Sequence, residues 1–335
     1  MMLLTFQHYA EIPEKIHVFY DLSFDTLFSK HDALKEAYSR KKYTKYSIDV
    51  FKRRLGFFCL ISYLDQKYEF SRDDFLQYVA RSAEIDGLSG DSEEFCRDLL
   101  ESVCIMQQDG LNINFSHRSF QEYFSAYCLA RLPVEKLKTI LPKLAHRRSD
   151  SVFEMLFDMM KDTFEESYVF PMIKKTKIFL RGMPKSPTAL QILEKFDLKV
   201  LAEVRGFVSS TSTINSEFGR FRDITQKIYK NFYTDLDAAI PKFMEMDHKS
   251  FEIIPYFGRI RKGKVINVRE GTFSSNERVI NIPDLIIQTE IKEWYEKSGH
   301  ASWVRERFKA FKDVLVKVPA QSRKRDADWR NVFRL

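Results

Sequence analysis

Residues 103–115 read Val103-Cys104-Ile105-Met106-Gln107-Gln108-Asp109-Gly110-Leu111-Asn112-Ile113-Asn114-Phe115. Two short apolar runs flank the Asp109-Gly110 pair in this stretch. An Asp-Gly pair between two such runs is a strong short-range signal for a β-hairpin. The sequence therefore predicts a hairpin at about 103–115, with its turn at Asp109-Gly110.

The elements predicted upstream of the hairpin place it in a larger pattern. Ser47 stands before a helical apolar pattern, where it can cap the helix. Residues 68–70 form a short alternating run, and Ser71 then caps a second helix, which a third helix follows near residues 95–100. Helix, short strand, helix, helix and hairpin is the order of a winged-helix domain. We predict such a domain at 46–131.

Helical segments surround this domain, and a mixed segment ends the chain. Residues 1–45 and 132–206 show helical periodicity and are each predicted to form a helical domain. Glycine is scarce, at 11 of 335 residues, which also favours helix. Alternating runs at Lys264–Arg269 and Arg278–Ile282 predict paired strands within a small α+β domain at 207–335, and helices are expected near 290–295 and over Val304–Val314. The predicted fold class is mainly α, with a winged-helix domain and a small C-terminal α+β domain.

Composition excludes several classes of protein. Hydrophobic residues make up 44% of the chain and charged residues 30%, so the chain can bury a core. No apolar run approaches the ~20 residues of a membrane-spanning helix, and the start lacks the basic segment of a signal peptide. The four cysteines form no CxxC pair, and HxxxH and HExxH are absent. We therefore expect free thiols, no metal site, no membrane partner and a cytoplasmic protein.

The net charge of +7 is concentrated in the last 35 residues, where ten Lys/Arg face four Asp/Glu. The candidate basic binding surface consists of Arg305, Lys309, Lys312, Arg323, Lys324 and Arg325. Three interpretations stay open. The segment is a solvated amphipathic helix that docks its aromatics on the small domain, or a docking surface for an acidic protein. Alternatively, it follows nucleic-acid phosphates, with Trp303, Phe308, Phe311 and Trp329 available to stack on single-stranded bases.

The run Asn114–Ala126 changes from strand to helix. Ser116 is the predicted cap of the new helix, and Ser119 can share that work. His117 lies at the junction, where a side chain can leave the core. Two interpretations follow: His117 bonds the backbone at the helix start, or it contacts a ligand.

The same run resembles the Phe-x-His-x-x-x-Gln-Glu-aromatic-Phe-x-Ala signature of the winged-helix domain of NACHT-type STAND NTPases. That group includes animal NLR immune receptors and bacterial antiphage proteins. The matching residues are Phe115, His117, Phe120, Gln121, Glu122, Tyr123, Phe124 and Ala126. Ile12-Pro13-Glu14-Lys15 and His31-Asp32-Ala33-Leu34-Lys35 are similar to the first helical domain after a NACHT core. The resemblance covers residues 1 to about 180.

The resemblance implies a regulatory role. In such proteins the winged-helix histidine contacts the β-phosphate of bound ADP and holds the resting state, so His117 is the implied nucleotide sensor. The implied cofactors are ADP or ATP with Mg²⁺ once the chain is joined to a P-loop core, and none when it is alone. The implied partners are a NACHT core, in cis or in trans, and further copies of the protein on activation. The implied setting is signalling or antiphage defence.

One departure from the family limits the resemblance. GxxxxGK[ST] is absent, and no apolar run ending in paired acids marks a Walker B strand. We therefore expect the C-terminal part of a STAND NTPase, with no ATPase activity and no catalytic residues of its own. No GxSxG elbow supports a hydrolase either.

The alternative function is a stand-alone winged-helix nucleic-acid-binding protein. Its candidate groove-binding helix at 71–83 is the element that would enter DNA. That segment and its flank carry Asp73, Asp74 and Glu84 against Arg72 and Arg81. This charge is unfavourable for contact with phosphates.

Overall fold

The structure, a computed structural model, divides the chain into an N-terminal unit, Met1–Phe170, and a C-terminal unit, Pro171–Leu335. It describes residues 13–29, 42–87, 91–145, 150–196, 200–203, 208–209, 217–234, 258–261, 264–267, 277–280 and 300–333. The prediction of a mainly helical chain is confirmed. The division into two units is coarser than the four predicted domains, which stay predictions.

The N-terminal unit contains helices, two π-helices and a small sheet. In chain order these are α1 (Ile16–Ser29), α2 (Ile48–Leu64), β1 (Glu69–Phe70), α3 (Arg72–Asp86), α4 (Ser92–Arg97), the π-helix π1 (Asp98–Ser102), β2 (Met106–Asp109), β3 (Asn112–Phe115), α5 (Arg118–Leu129), α6 (Val134–Leu144), α7 (Val152–Met159), α8 (Lys161–Phe164) and π2 (Glu165–Val169). The next helix, α9 (Phe170–Phe179), starts at the last residue of this unit and otherwise belongs to the C-terminal unit. Both predicted serine caps are confirmed. Ser47 Oγ accepts from the backbone N–H of Val50 at 3.4 Å, and Ser71 Oγ accepts from that of Asp74 at 3.1 Å.

The predicted hairpin is confirmed, but its turn is one residue later than expected. Asp109 pairs with Asn112, so Gly110 and Leu111 form the two-residue connection. Gly110 has φ 60°, while Leu111 is not among the residues with positive φ. That combination fits a type II′ turn, in which only the first central residue needs a positive φ. The third strand, β1, pairs antiparallel with β3 and gives the sheet order β1-β3-β2.

The core of the N-terminal unit is aromatic and centres on the contact between α2 and α5. Gly56 of α2 lies so close to α5 that a Cβ placed there would sit 3.2 Å from the Cβ of Cys128. Phe124 of α5 is fully buried against Phe24 of α1, with ring centroids 4.9 Å apart. Phe51 and Phe58 line the same interior from α2. Helix α5 is therefore held by two other helices along its apolar face.

The C-terminal unit is organised around one long helix. Its elements after α9 are α10 (Ala189–Lys195), β4 (Val200–Glu203), β5 (Val208–Ser209), α11 (Glu217–Ile228), a 3-10 turn (Lys230–Phe232), β6 (Gly258–Arg261), β7 (Lys264–Asn267), β8 (Glu277–Ile280) and α12 (His300–Phe333). The rings of Phe308 and Phe311 on α12 each lie 6.0 Å from the ring of Phe196. Phe221 of α11 is also 6.0 Å from Phe311. These contacts anchor α12 in the unit. The helix expected over Val304–Val314 is longer than predicted and extends over 34 residues.

Two predictions about strands are wrong. β7 pairs antiparallel with β6 rather than with β8, because a two-residue connection closes β6-β7 at lower entropic cost than a longer loop. β8 pairs instead with β4, which lies in a segment that was expected to be helical. Periodicity in 190–206 did not separate a short helix from a following strand, since both present an apolar residue every few positions.

Some predicted features lie outside the described residues, namely the run 31–35 and a helix expected near 290–295. Within the part of the chain that the structure describes, none of the helices combines the length and the apolar character needed to span a bilayer.

Candidate functional site

His117 is the N-cap residue of α5. Its backbone is extended, with φ −149° and ψ 120°, and its Nδ1 accepts a hydrogen bond from the backbone N–H of Ser119 at 3.3 Å. The prediction that Ser116 caps this helix is wrong. The N–H of Ser116 donates to the carbonyl of Ile105 and its Oγ donates to that of Cys104, so Ser116 is held against the segment before β2 and the cap lies one residue later.

This capping geometry fixes which nitrogen of His117 is available to a ligand. Because Nδ1 is an acceptor in the cap, the proton of the neutral imidazole resides on Nε2. The side chain is exposed, and its ring lies 6.4 Å from that of the buried Tyr20 of α1. The two interpretations of His117 are therefore compatible. One nitrogen bonds the backbone, and the other can donate to an acceptor outside.

The other residues of the signature pack or form hydrogen bonds within the N-terminal unit. Gln121 is buried and its Nε2 donates to Ser62 Oγ and to the carbonyl of Lys67, both at 2.9 Å. Glu122 Oε2 accepts from the N–H of Ser151 at 3.2 Å and so ties α5 to the start of α7. The remaining buried members of the signature are Phe115, Phe120, Tyr123, Phe124 and Ala126. Only His117 of the eight matched residues is exposed.

An ion cluster fastens α1 to its neighbours and was missed by the sequence analysis. Lys52 Nζ of α2 lies 2.6 Å from both Asp21 Oδ1 and Asp25 Oδ1 of α1. Tyr123 of α5 donates its hydroxyl to the same Asp21 oxygen at 2.7 Å. The only signal in the sequence is the spacing of Asp21 and Asp25, four residues apart on one helix face.

The cluster shifts the pKa of its members in opposite directions. Burial of Asp21 opposes ionisation, but the hydrogen bonds from Lys52 and Tyr123 outweigh it and lower the carboxyl pKa below 3.8. Burial likewise disfavours charged Lys52, yet the hydrogen bonds to Asp21 and Asp25 raise its pKa above 10.5. Stability from Asp21 is thus present above pH 3.8 and is lost as the pH falls through its folded pKa. Stability from Lys52 is present below pH 10.5.

Lys52→Met tests this cluster through its pH dependence. At pH 6 the variant should be less stable than the wild type, because Asp21 and Asp25 then face each other without a cation. At pH 3 the difference should shrink, since protonation of Asp21 reduces its attraction to Lys52 in the wild type and its repulsion of Asp25 in the variant. Urea unfolding followed by circular dichroism at the two pH values measures this. A stability difference that is equal at pH 6 and pH 3 would contradict the assignment.

A second buried carboxylate, Asp98, was also missed. Its oxygens accept from the N–H of Tyr43, from the N–H and Oγ1 of Thr44, and from Ser102 Oγ, at 2.6 to 2.8 Å. Asp98 begins π1 and is buried. The three hydrogen bonds from Tyr43 and Thr44 hold the segment before α2 against π1, so this carboxylate serves the fold.

The structure corrects part of the interpretation of the basic segment. Phe308 and Phe311 are buried in the C-terminal unit, so neither can stack on a base. Trp303 is half-buried, with the Arg307 guanidinium 4.5 Å from its ring. The side chain of Trp329 lies outside the described residues. The basic residues are distributed along α12, where Lys312 Nζ donates to the carbonyl of Lys185 and Arg323 Nε to that of Pro319.

Among the residues that the structure describes, we see neither a metal site nor a reactive cysteine. No group of three or more His, Cys, Asp or Glu is arranged there to hold a metal ion. The cysteines are free thiols: Cys59, Cys96 and Cys128 are buried and Cys104 is half-buried. Burial raises the pKa of Cys96 and of Cys128 to about 12, which makes both thiols poor nucleophiles.

The chain matches no protein-family model, no curated protein and no solved structure.

Proposed function

We propose that this chain is a regulatory segment of a NACHT-type STAND NTPase, in which His117 senses bound ADP. The observation that carries the proposal is the geometry of His117. Its Nδ1 accepts in the helix cap and its side chain is exposed, so Nε2–H is the group left to donate to a ligand. The order α2, β1, α3, α4, β2, β3 agrees with the order expected of a winged-helix domain. The short sheet and α5 then form the platform that presents His117.

The proposed mechanism is a difference in affinity between two nucleotide states. An imidazole N–H that donates to a phosphate oxygen makes a charge-assisted hydrogen bond worth roughly 1.5–3 kcal/mol. A contact made with the β-phosphate of ADP in the closed state, and absent in the ATP state, biases the protein towards closure while ADP is bound. The P-loop core supplies the phosphate-binding loop and the Mg²⁺ site. This chain contributes the contact that couples the nucleotide bound to the core to the conformation of the protein.

Two observations test the proposal. The DNA directly upstream of the Met1 codon should encode P-loop sequence, in frame or in a neighbouring frame. The isolated chain should show no affinity for ADP at micromolar concentration in calorimetry, because one imidazole alone cannot hold a diphosphate. Upstream DNA without P-loop sequence, or micromolar ADP binding by the isolated chain, would contradict the proposal.

The alternative, a stand-alone winged-helix nucleic-acid-binding protein, is disfavoured by charge. Arg72, Asp73 and Glu84 are exposed on α3, and Asp74 pairs with Lys67 at 2.8 Å. The N-terminal unit as a whole holds 22 Lys/Arg and 27 Asp/Glu, a net charge of −5. A unit of that charge repels a phosphate backbone.

A further inference from the structure

Positive charge is concentrated in the C-terminal unit. Pro171–Leu335 holds 32 Lys/Arg and 20 Asp/Glu, a net charge of +12, against −5 for the N-terminal unit. The basic character therefore extends beyond the last 35 residues to the whole unit. A polyanion is attracted to this unit, and screening limits that attraction to about 8 Å at physiological salt.

Helix α12 has a buried apolar face and a face that carries positive charge. One face is buried and apolar, and it consists of Ala301, Phe308, Ala310, Phe311, Val314, Leu315 and Val318. The outer row, whose side chains are exposed or half-buried, consists of Arg305, Lys309, Lys312, Val316 and Arg323. Their spacings of four, three, four and seven residues place these side chains within about 60° of one another on an ideal helix.

The outer row of α12 contains no acidic residue. Glu306 and Asp313 each follow a member of the row by one residue, and on an ideal helix they lie about 60° and 40° beyond Lys309, on one flank of the row. Asp313 pairs with Lys317 at 2.7 Å, outside the row. Glu306 reaches Lys309 only at 3.7 Å, with both side chains more than half exposed, so this pair leaves the charge of Lys309 largely available.

The length and the composition of the outer row indicate which class of ligand it can bind. From Arg305 to Arg323 the helix rises about 27 Å, which exceeds the ~12 Å width of the DNA major groove. A row of that length can reach phosphates on both strands of a duplex. Burial of Phe308 and Phe311 removes two of the four aromatic side chains that were candidates for stacking on single-stranded bases. A protein partner usually needs several apolar anchors, and the row offers only Val316.

We propose that the outer row of α12 binds double-stranded nucleic acid through the phosphate backbone, without sequence preference. This inference does not depend on the nucleotide-sensing role of His117. Arg305, Lys309 and Arg323 provide the phosphate contacts, and Lys324 on the neighbouring flank adds another cation. Lys312 contributes charge while its ammonium also bonds the carbonyl of Lys185.

Fluorescence anisotropy with a labelled 30-base-pair DNA duplex tests the proposal on the full chain. With about four phosphate contacts, the association constant should fall about 10²-fold between 50 and 200 mM salt. Two unrelated duplex sequences should bind equally. Salt-insensitive binding, or no binding at 50 mM salt, would overturn the proposal. So would tighter binding of a single strand, or of a polyglutamate peptide of equal charge.

The matched variants are Lys309→Glu/Arg323→Glu on α12 and Lys136→Glu/Lys143→Glu on α6. Both reverse two charges on an exposed helix face, but the second pair lies in the acidic N-terminal unit. The first variant should bind the duplex at least 10-fold more weakly at 100 mM salt, and the second should stay within about twofold of the wild type. Equal losses in the two variants would overturn the assignment to α12. If the reversed α12 variant does not fold, Lys309→Gln/Arg323→Gln should still weaken binding at least threefold, and unchanged binding would overturn the proposal.

Discussion

Asp98→Ala is expected to destabilise the N-terminal unit by about 3–5 kcal/mol, because its removal leaves several buried donors without an acceptor. The N–H groups of Tyr43 and Thr44 and the hydroxyl of Thr44 all point at this one carboxylate. Each buried donor that loses its partner costs about 1–3 kcal/mol. Alanine cannot replace any of these bonds.

The measurement uses the distribution of tryptophan. The three tryptophans, Trp294, Trp303 and Trp329, all lie in the C-terminal unit, so their fluorescence follows that unit alone. Circular dichroism follows both units. Asp98→Ala should lower the dichroism transition of the N-terminal unit by on the order of 10 °C and leave the fluorescence transition unchanged.

The matched control for Asp98→Ala is Glu101→Ala. Glu101 accepts a hydrogen bond from the hydroxyl of the same Tyr43, but at the exposed surface. Its removal should leave both transitions close to those of the wild type. Equal shifts for Asp98→Ala and Glu101→Ala would show that the buried bonds do not hold the segment before α2.

Phe124→Ala is expected to cost the N-terminal unit about 3–5 kcal/mol, because it opens a cavity at the centre of the aromatic core. The Phe124 ring lies 4.9 Å from that of Phe24 and 4.8 Å from that of Tyr123. The loss therefore weakens the contact of α5 with α1, and not only the packing of α5. Thermal unfolding followed by circular dichroism measures the effect.

Leu111→Ala is the control for Phe124→Ala. Leu111 is 90% exposed at the hairpin tip, so the same kind of truncation there should change stability by less than about 0.5 kcal/mol. If Phe124→Ala left the melting temperature unchanged, Phe124 would not serve packing and the signature would need another explanation.

Local signals in the sequence predicted the local structure well. Ser47, Ser71 and the hairpin were identified because caps and tight turns depend on a few adjacent residues. The turn was still displaced by one residue, since the register of Asp109 with Asn112 is set by pairing across the sheet. The cap of α5 was displaced for a similar reason, because Ser116 bonds the carbonyls of Cys104 and Ile105 just before β2 and leaves the cap to His117.

Contacts between distant residues could not be predicted in this way. The Asp21–Lys52–Tyr123 cluster joins three helices, and Asp98 accepts from residues more than 50 positions away. The pairing of β8 with β4 is equally non-local. Nothing in the periodicity of one segment specifies its partner. The position of His117 at a strand-to-helix junction was predictable from the sequence, whereas the use of its Nδ1 in the cap required the structure.

His117→Asn separates the two roles of His117. Asparagine is a good N-cap residue, so this variant should keep the melting temperature of the wild type. His117→Gly is the reference for the cap and should cost only a few tenths of a kcal/mol more. The asparagine side chain is too short to place an N–H where Nε2 lies, and glycine has no side chain. Any effect on ADP binding would therefore report the lost Nε2 donor and not a failure of α5 to form.

The most direct measurement is the ADP affinity of this chain assembled with the P-loop core that the proposal requires, for the wild type and His117→Asn. We predict that His117→Asn, with an unchanged melting temperature, binds ADP roughly 10- to 150-fold more weakly, as expected for the loss of a charge-assisted hydrogen bond of 1.5–3 kcal/mol. Equal ADP affinity of the two proteins would contradict the assignment of His117 as the nucleotide sensor.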